Sequence, residues 1–584
     1  EIIERWSEVC NNGDQDMTLE SVMSAAWHMP RIDGDYRMSH LSGRWASEGT
    51  INRQPIMQNK TVIDSRTGLS GPFAMPLFAL DQGDATEHAG TVWFGSVQWS
   101  GAWKITVNRD AFEEVSVVGG VNDFDFSYPL SPGDSFTTPI FCAGVTHDGF
   151  GGASRMLHDY QRLHLLPPVA ANPIPLLVNT WASLHADVDE ASVIAVIDKA
   201  AEVGAELFVI DDGWQHALGD WFPDPVKFPN GLTPVIERAA AHGMDFGLWV
   251  EIESFEKRSL LYAEHPEWAM QYKHRPPHSK YREDVDRTSF LINFARKDVL
   301  EHFYNVLKKL ISDTGIKYLK LDMNYYFTDP GWDEVPENEH KTIWVRYAAN
   351  ILELFGRLSR EFPEVRIENC ASGGARSDLA MSRHFARINR SDNQDPLDIL
   401  KLHEGYTWMH LPGLAGGACH ISNDMSHVNN RALPLEIQAI AGMLGSLAIG
   451  KNLPKCPDEE IAAIRQWGSL YKEIRHITYH GDLYRLVSIY EKPYAAFEYV
   501  SKDRSEALLF LFSQSFMYGK RLPAIRLKGL EPDGVYEMET YGAEPIARDD
   551  YHPRSGRALM EIGLQSDMLG DYRARIIKLK LTDK

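Results

Sequence analysis

The chain has 584 residues, with 59 Lys and Arg against 81 Asp and Glu, a formal net charge of −22 at pH 7. One core rarely grows past about 250–300 residues, so several domains are expected. An acidic surface repels phosphate backbones and anionic lipid, which sets aside nucleic acid and membrane surfaces as partners.

The five cysteines are scattered and form no Cys-x-x-Cys pair. Neither a disulfide framework nor a zinc site is implied, and no metal or other cofactor is expected. No uncharged apolar stretch reaches the roughly 18 residues of a membrane span. The start, Glu1-Ile2-Ile3-Glu4, lacks the shape of a signal peptide. Residue 1 is not Met, so the N-terminus reads as processed or truncated, and the expected compartment is the cytoplasm. Aromatic residues are plentiful, with 15 Trp, 23 Tyr and 25 Phe. Most belong in the core, but aromatic faces also stack on the C–H faces of sugars.

Residues 1–165 read as a β-sandwich followed by a linking helix. Thr61–Asp64, Thr91–Trp99, Trp103–Val107 and Phe136–Cys142 are strand-like runs punctuated by Gly, Asp and Asn. Gly151–Leu165 reads as the helix, and Pro167, Pro168, Pro173 and Pro175 end it.

From Leu176 the texture changes. Short apolar runs (Leu176–Asn179, Glu206–Ile210, Phe246–Val250, Leu291–Phe294, Tyr318–Leu321, Arg366–Glu368, Ala386–Asn389) alternate with amphipathic ones (Glu190–Val203, Leu232–Ala241, Lys297–Ser312, Thr342–Arg360, Pro396–Leu402, Pro434–Ile449). An eighth strand is expected near Tyr406–His410 or Ala418–Ile421. This rhythm predicts a central (β/α)8 TIM barrel over 170–476. A doubly wound sheet is the rival, but no Gly-rich phosphate loop follows the first strand. Leu486–Tyr490, Ala495–Val500, Ala507–Phe512 and Ile576–Leu581 then predict a small all-β domain, read as a second sandwich, over 477–584.

Barrel chemistry projects from the C-terminal ends of the strands. Those ends carry Trp181; Asp211, Asp212 and Trp214; Trp249 and Glu251; Arg296; Lys320, Asp322 and Asn324; Asn369, Cys370 and Gly373; and Asp392 and Asn393. Two carboxylates flanking one bond meet the requirement of glycoside hydrolysis. Lys320 lies two residues before Asp322, hence on the same face of a strand. A neighbouring ammonium favours the ionised carboxylate. Asp322 is therefore read as the nucleophile and Asp392 as the acid. Singly, each of these residues has a structural reading as a helix cap, a turn or core.

Several segments resemble glycoside hydrolase family 36. Lys320-Leu321-Asp322-Met323-Asn324 is similar to the family's nucleophile segment, and Ser391-Asp392-Asn393-Gln394-Asp395 to its acid/base segment. Cys370-Ala371-Ser372-Gly373-Gly374 and Ile210-Asp211-Asp212-Gly213-Trp214 match two further motifs, and Tyr36–Trp45 resembles part of its N-terminal β domain. Members usually have a longer N-terminal β domain, so residues 1–165 read as incomplete at that end. The resemblance implies retaining hydrolysis of terminal α-D-galactosides in oligosaccharides or glycoconjugates. It also implies that Asp211, Asp212, Lys320 and Arg296 bind sugar hydroxyls, beside Asn324 in the nucleophile segment. Trp181 and Trp249 would wall the subsite, and Cys370 and Gly373 would line it. Family members often form tetramers, which implies a homo-oligomer. Leu321 departs from the family's usual Trp but should point away from the pocket. Gly373 is expected to leave space at C2 that would admit an N-acetyl group, so α-N-acetylgalactosaminidase is the alternative. A transglycosylating relative and an inactive sugar-binding protein complete the set.

Overall fold

The computed structural model describes residues 1–582 other than 272–274, 278–287, 418, 424, 518, 520, 545–551 and 566. The N-terminal region packs two antiparallel sheets face to face. The six-stranded sheet runs Ile2–Arg5, Ile140–Thr146, Val92–Gln98, Ala74–Asp81, Arg37–Arg44, Ser47–Pro55; the four-stranded one runs Met23–His28, Val115–Val121, Trp103–Arg109, Asn59–Ser65. Trp103, Ile105, Val107, Val117 and Phe141 are buried in one core. The period-2 alternation of Trp103–Arg109 accounts for this, since every second side chain faces inward. The run Phe136–Cys142 divides into two strands, Ser135–Thr137 and Ile140–Thr146. Helix Gly149–Tyr160 leads on to the next domain.

The barrel sheet has eight parallel strands, numbered here by themselves: β1 Leu177–Asn179, β2 Leu207–Ile210, β3 Asp245–Val250, β4 Tyr318–Leu321, β5 Arg366–Asn369, β6 Arg387–Asn389, β7 Ala415–Gly416 and β8 Ala448–Ile449. β8 pairs with β1 and closes the sheet on that side, and a bridge between Gly416 and Ser446 joins β7 to the β8 segment. Among the described residues, seven helices of eight residues or more follow the strands: α1 Glu190–Glu202, α2 Thr233–Ala241, α3 Lys297–Thr314, α4 Ile343–Glu361, α5 Pro396–Tyr406, α6 Leu435–Gly442 and α7 Asp458–His480. After β5 a loop with a single 3-10 turn, Met381–Arg383, stands where a helix would be.

Local chemistry starts the helices. Asp189 and Ser192 form a reciprocal capping box at α1, with bonds of 2.7 and 3.0 Å. Asp395 caps α5 by accepting from the Leu397 and Asp398 amides, each at 3.0 Å, with Pro396 in the first turn.

Two strand expectations are corrected. The run Leu291–Phe294 is not in the barrel. Its first residue closes the strand Ser289–Leu291, which pairs antiparallel with Ser254–Glu256 in the loop after β3. The run is apolar because it is buried, and burial alone does not say which sheet a strand joins. The eighth barrel strand is Ala448–Ile449, inside the segment read as helix Pro434–Ile449. The helix there ends at Gly442. Tyr406–His410 is the end of α5 and a turn. Of the other candidate, Ala418 lies outside the described residues, and Ile421 makes one bridge to Ile449.

The C-terminal domain is a six-stranded antiparallel sheet in the order Asp482–Val487, Tyr494–Val500, Glu506–Ser513, Arg573–Leu581, Val535–Gly542, Arg554–Ser555. Among the described residues no helix is long and apolar enough to cross a membrane.

One contact between domains bears on the site. The hairpin of Arg37–Arg44 and Ser47–Pro55 lies against α5, backbone to backbone. A Cβ on Gly405 would stand 1.7 Å from the Gly49 carbonyl oxygen. Gly405→Ala is therefore expected to cost about 1–3 kcal/mol, the usual penalty for overpacking. Melting curves test this, and an unchanged midpoint would show that the hairpin is not held by this contact.

Candidate active site

The barrel interior is built in steps of two residues. Leu177, Leu207, Val209, Tyr318 and Ala448 form a buried inward-facing cluster. Two residues further along their strands, Leu177 gives way to Asn179, Val209 to Asp211 and Tyr318 to Lys320. The next step on β4 is Asp322. The alternation of a strand thus carries the chain from an apolar floor to a charged mouth. Leu321, of opposite parity, is buried in the main apolar core.

Lys320 Nζ lies 2.7 Å from Asp211 Oδ2, both side chains being 4% exposed. Asn179 Nδ2 donates to the same oxygen at 2.7 Å, and the Asp212 amide to Oδ1 at 3.1 Å. Burial works against the ammonium, but the Asp211 carboxylate keeps it charged well above its ordinary range. Asp212 is half-buried, and Gln215 donates to its carboxylate at 2.6 Å.

Asp322 is surrounded by donors. Trp249 Nε1 at 3.0 Å and Asn324 Nδ2 at 3.1 Å reach Oδ2, while the Met323 and Ser372 amides reach Oδ1 at 2.8 and 3.3 Å. Burial raises its proton affinity. The Lys320 charge and these N–H groups outweigh burial and hold the carboxyl below the usual aspartate value. Asn324 also bonds Glu251 at 2.8 Å and accepts from Ser372 Oγ at 3.0 Å, which fixes its amide.

Asp392 follows β6 and is in the opposite condition. Among the described residues, only Trp45 Nε1, at 3.0 Å, and Asn389 Nδ2, at 3.1 Å, donate to it. Burial, aided by the nearby charge of Asp322, pushes it up to about 6. Two carboxyls whose proton affinities are driven apart suit one for attack and the other for proton delivery.

The loop after β5 joins them. Ser372, Gly373 and Arg376 have φ of 45, 81 and 41°. This left-handed path aims the Ser372 amide at Asp322 and lays Gly373 against the Asp392 backbone. The buried Arg376 guanidinium donates to Glu253, to Asn369 Oδ1 at 2.7 Å and to the carbonyls of Leu321 and Cys370, each at 3.0 Å. It thereby ties the ends of β4 and β5 together. Cys370 is buried, and its sulfur accepts from Asn389 at 3.2 Å.

Two expectations change here. A Cβ on Gly373 would meet the Asp392 amide nitrogen at 2.6 Å, and Ser391 and Glu48 at 3.0 Å. Its missing side chain therefore makes room for the Asp392 loop, so the open space expected at this position is taken up by protein. Arg296 heads α3 and forks onto Asp298, with a bond of 2.8 Å, and onto Glu334. It makes no hydrogen bond to Asp322, Asp392 or Asp211 among the described residues. The strand before it belongs to the loop after β3, so it does not stand at a barrel strand end. Trp181 starts the short helix after β1, half-buried, with its ring edge-on to His185.

Sequence reasoning missed Trp45, Glu48 and Asn389. Trp45 and Glu48 stand at the hairpin turn of the N-terminal domain, and Trp45 is 347 positions from the aspartate it bonds. Glu48 is buried, accepts from the Ala46 amide at 3.2 Å and is pushed up to about 7 by burial. The segment Tyr36–Trp45 was the one available signal. Asn389 could have been found by stepping two residues from Arg387 along β6. Among the described residues, no group of three or more His, Cys, Asp and Glu side chains could hold a metal.

Comparisons with known proteins agree along the whole chain. The melibiase family matches residues 135–481, the glycosyl hydrolase family 36 N-terminal domain residues 1–131, and the family 36 C-terminal domain residues 494–579. A probable alpha-galactosidase G of Aspergillus terreus is 31% identical over 99% of this chain and 78% of its own. Alpha-galactosidase AgaA of Geobacillus stearothermophilus is 31% identical over 93% of this chain and 74% of its own. Crystal structures of AgaA variants with raffinose and with stachyose superpose with a TM-score of 0.93, at 28% and 29% identity, covering 100% of this chain and 79% of theirs.

Gly373→Ala is expected to displace the Asp392 loop and to lower kcat by about 100-fold, the effect of a misplacement near 1 Å. Steady-state kinetics on an activated galactoside check it. Activity near wild type would mean that the loop tolerates the methyl group.

Proposed function

This chain belongs to glycoside hydrolase family 36 and hydrolyses terminal α-D-galactosides, and from that premise we propose a double displacement in which Asp322 is the nucleophile and Asp392 the acid/base. The observation that carries the assignment is the opposed protonation of the two carboxyls. Asp322 accepts four N–H donors in the field of Lys320. Asp392 accepts two and is lifted by burial and by Asp322.

In the first step an Asp322 oxygen attacks the anomeric carbon from the face opposite the leaving group. Asp392 gives its proton to the departing oxygen, and a β-galactosyl ester of Asp322 forms. In the second step Asp392, now ionised, takes a proton from water. The water oxygen attacks from the face just vacated, the ester bond breaks, and α-galactose leaves with its configuration retained. Asp211, Asp212 and Lys320 form the charged end of the pocket. Hydroxyl hydrogen bonds to charged groups contribute about 1.5–3 kcal/mol each, enough to select galactose over an epimer that misses them. Trp249 orients Asp322 and presents a buried indole beside it. Against an N-acetylgalactosaminidase reading stand the α-galactosidase relatives.

Asp392→Ala should retain activity only on activated aryl galactosides, and azide should partly rescue it by attacking the covalent intermediate. The product should be the α-galactosyl azide. Its β-anomer, or covalent label from a fluorinated galactosyl reagent on a peptide lacking Asp322, would contradict the assignment.

The pH dependence follows from the same environments. Asp392 must be protonated and Asp322 ionised in the free enzyme. For an unactivated galactoside, kcat/KM should therefore fall above about pH 6 as Asp392 loses its proton. On the acid side it should hold until below the usual aspartate range, where Asp322 gains one. In Asp392→Asn with an activated substrate the alkaline fall should vanish. Its persistence would assign that limb to another group.

A further inference from the structure

A buried cation at the end of β6 has no anion. Arg390 is 2% exposed, and among the described residues it makes no ion pair. Two other guanidiniums buried in the barrel each meet a glutamate, Arg376 with Glu253 and Arg387 with Glu368. Burial pushes Arg390 down only to about 10, so it stays charged at neutral pH. An uncompensated charge in a protein interior is costly, and an apolar side chain of similar volume is often as stable there or more so. Stability alone therefore does not account for this residue. We propose that Arg390 is a positioning residue for proton transfer, which together with His403 and Tyr499 holds the loop that carries Asp392. The proposal rests on reading Asp392 as the acid/base.

The hydrogen bonds of the three residues have one consistent direction. Tyr499 Oη donates to the Leu444 carbonyl at 2.6 Å, so toward His403 Nε2, at 2.8 Å, it accepts. Burial, aided by the Arg390 charge, keeps the His403 ring neutral. Its one hydrogen thus lies on Nε2, and the bare Nδ1 accepts from Arg390 Nη1 at 3.0 Å. His420 cannot share this task. Its ring is also kept neutral by burial, and its Nδ1 takes the Ala448 amide at 3.1 Å. Its Nε2, 3.4 Å from Arg390 Nη2, therefore carries the hydrogen. Among the described residues His403 is left as the one side chain that accepts from the guanidinium.

This bond clamps both ends of the Asp392 loop. Arg390 directly follows β6, and His403 lies on α5, which begins at Pro396. Ser391–Asp395, with Asp392 near its middle, is the short connection between them. The Arg390 amide also bonds the Gly416 carbonyl of β7 at 2.9 Å. Gly374 packs on the Arg390 carbonyl oxygen, where a Cβ would stand 2.2 Å away, just as Gly373 packs on the Asp392 amide. A shift of Arg390 would thus move the loops after β5 and β6 together. Tyr499 belongs to the C-terminal strand Tyr494–Val500. The Asp392 loop is therefore tied to the C-terminal domain through α5, as it is tied to the N-terminal domain by Trp45. Proton delivery depends on such placement, because a misplacement of about 1 Å can cost about 100-fold.

The test compares leaving groups on Arg390→Met, Tyr499→Phe, His403→Leu and His403→Asn. A displaced Asp392 matters most when the departing oxygen needs its proton. With raffinose, an unactivated galactoside, kcat/KM should fall about tenfold or more in Arg390→Met and His403→Leu, and about threefold in Tyr499→Phe. With p-nitrophenyl α-galactoside it should stay within about twofold, since that leaving group needs little protonation. His403→Asn, whose amide oxygen can stand near the place of Nδ1, should recover most of the raffinose loss. A role in stability alone would lower the melting midpoint and leave the ratio of the two substrates at its wild-type value. That unchanged ratio would overturn the proposal, as would equal raffinose activity in His403→Asn and His403→Leu. Tyr499→Phe removes a single oxygen and supplies the ratio even where Arg390→Met does not fold. Failed azide rescue of Asp392→Ala would overturn the acid/base reading itself, a result distinct from an unchanged substrate ratio.

Discussion

One buried ammonium organises the mouth of the barrel. Lys320 sits at the second inward position of β4, almost without solvent, between the strand that supplies Asp211 and the carboxylate of Asp322. An isolated charge in such a place costs several kcal/mol, so it persists only when paired and hydrogen-bonded. Asp211 is that pair, and Asn179 and the Asp212 amide complete it. Once Lys320 is held charged, its field falls on Asp322. The same interaction that makes the ammonium tolerable helps keep the buried Asp322 carboxyl ionised.

The second carboxyl is governed by a different part of the chain. Asp392 makes no ion pair among the described residues, and it lies within the field of Asp322, which outweighs that of Lys320. Its closest donor on one oxygen is an indole from the N-terminal domain. The hairpin that brings this indole also brings Glu48, another carboxyl raised by burial. The barrel therefore supplies both carboxyls, while the N-terminal domain completes the surroundings of Asp392. The glycine contact between Gly405 and Gly49 lets the hairpin come close enough to do so.

Between these two environments the loop after β5 acts as a rigid spacer. Its left-handed residues and the fully used guanidinium of Arg376 fix the ends of β4 and β5 against each other. Lower in the barrel, Arg387 pairs with Glu368 at 2.8 Å, so polar order extends beneath the site. Side chains mounted this way are held in place, the rigidity that a proton donor and a nucleophile flanking one bond would need.

The family, the reaction class and most of the architecture were legible in the amino-acid sequence. Strand-like runs alternating with amphipathic ones predicted the barrel, and the barrel rule placed Asp211, Lys320, Asp322 and Asp392 at one mouth. These readings succeeded because they rest on local facts: a strand's period of two, the charge two residues before Asp322, and short motifs whose members are neighbours in the chain. Tertiary structure alone decided which runs joined the barrel. Leu291–Phe294 looks like a strand and is buried, but its pairing partner lies in a loop; Ala448–Ile449 is too short to show any period and yet helps close the sheet. Only the fold revealed that Trp45 touches Asp392, that Arg296 turns to its own acidic neighbours, and that Gly373 lies against the Asp392 backbone. The reason is common to all of these. Strand pairing, close approach and proton affinity are set by groups distant along the chain, and a sequence specifies such partners only through the complete fold.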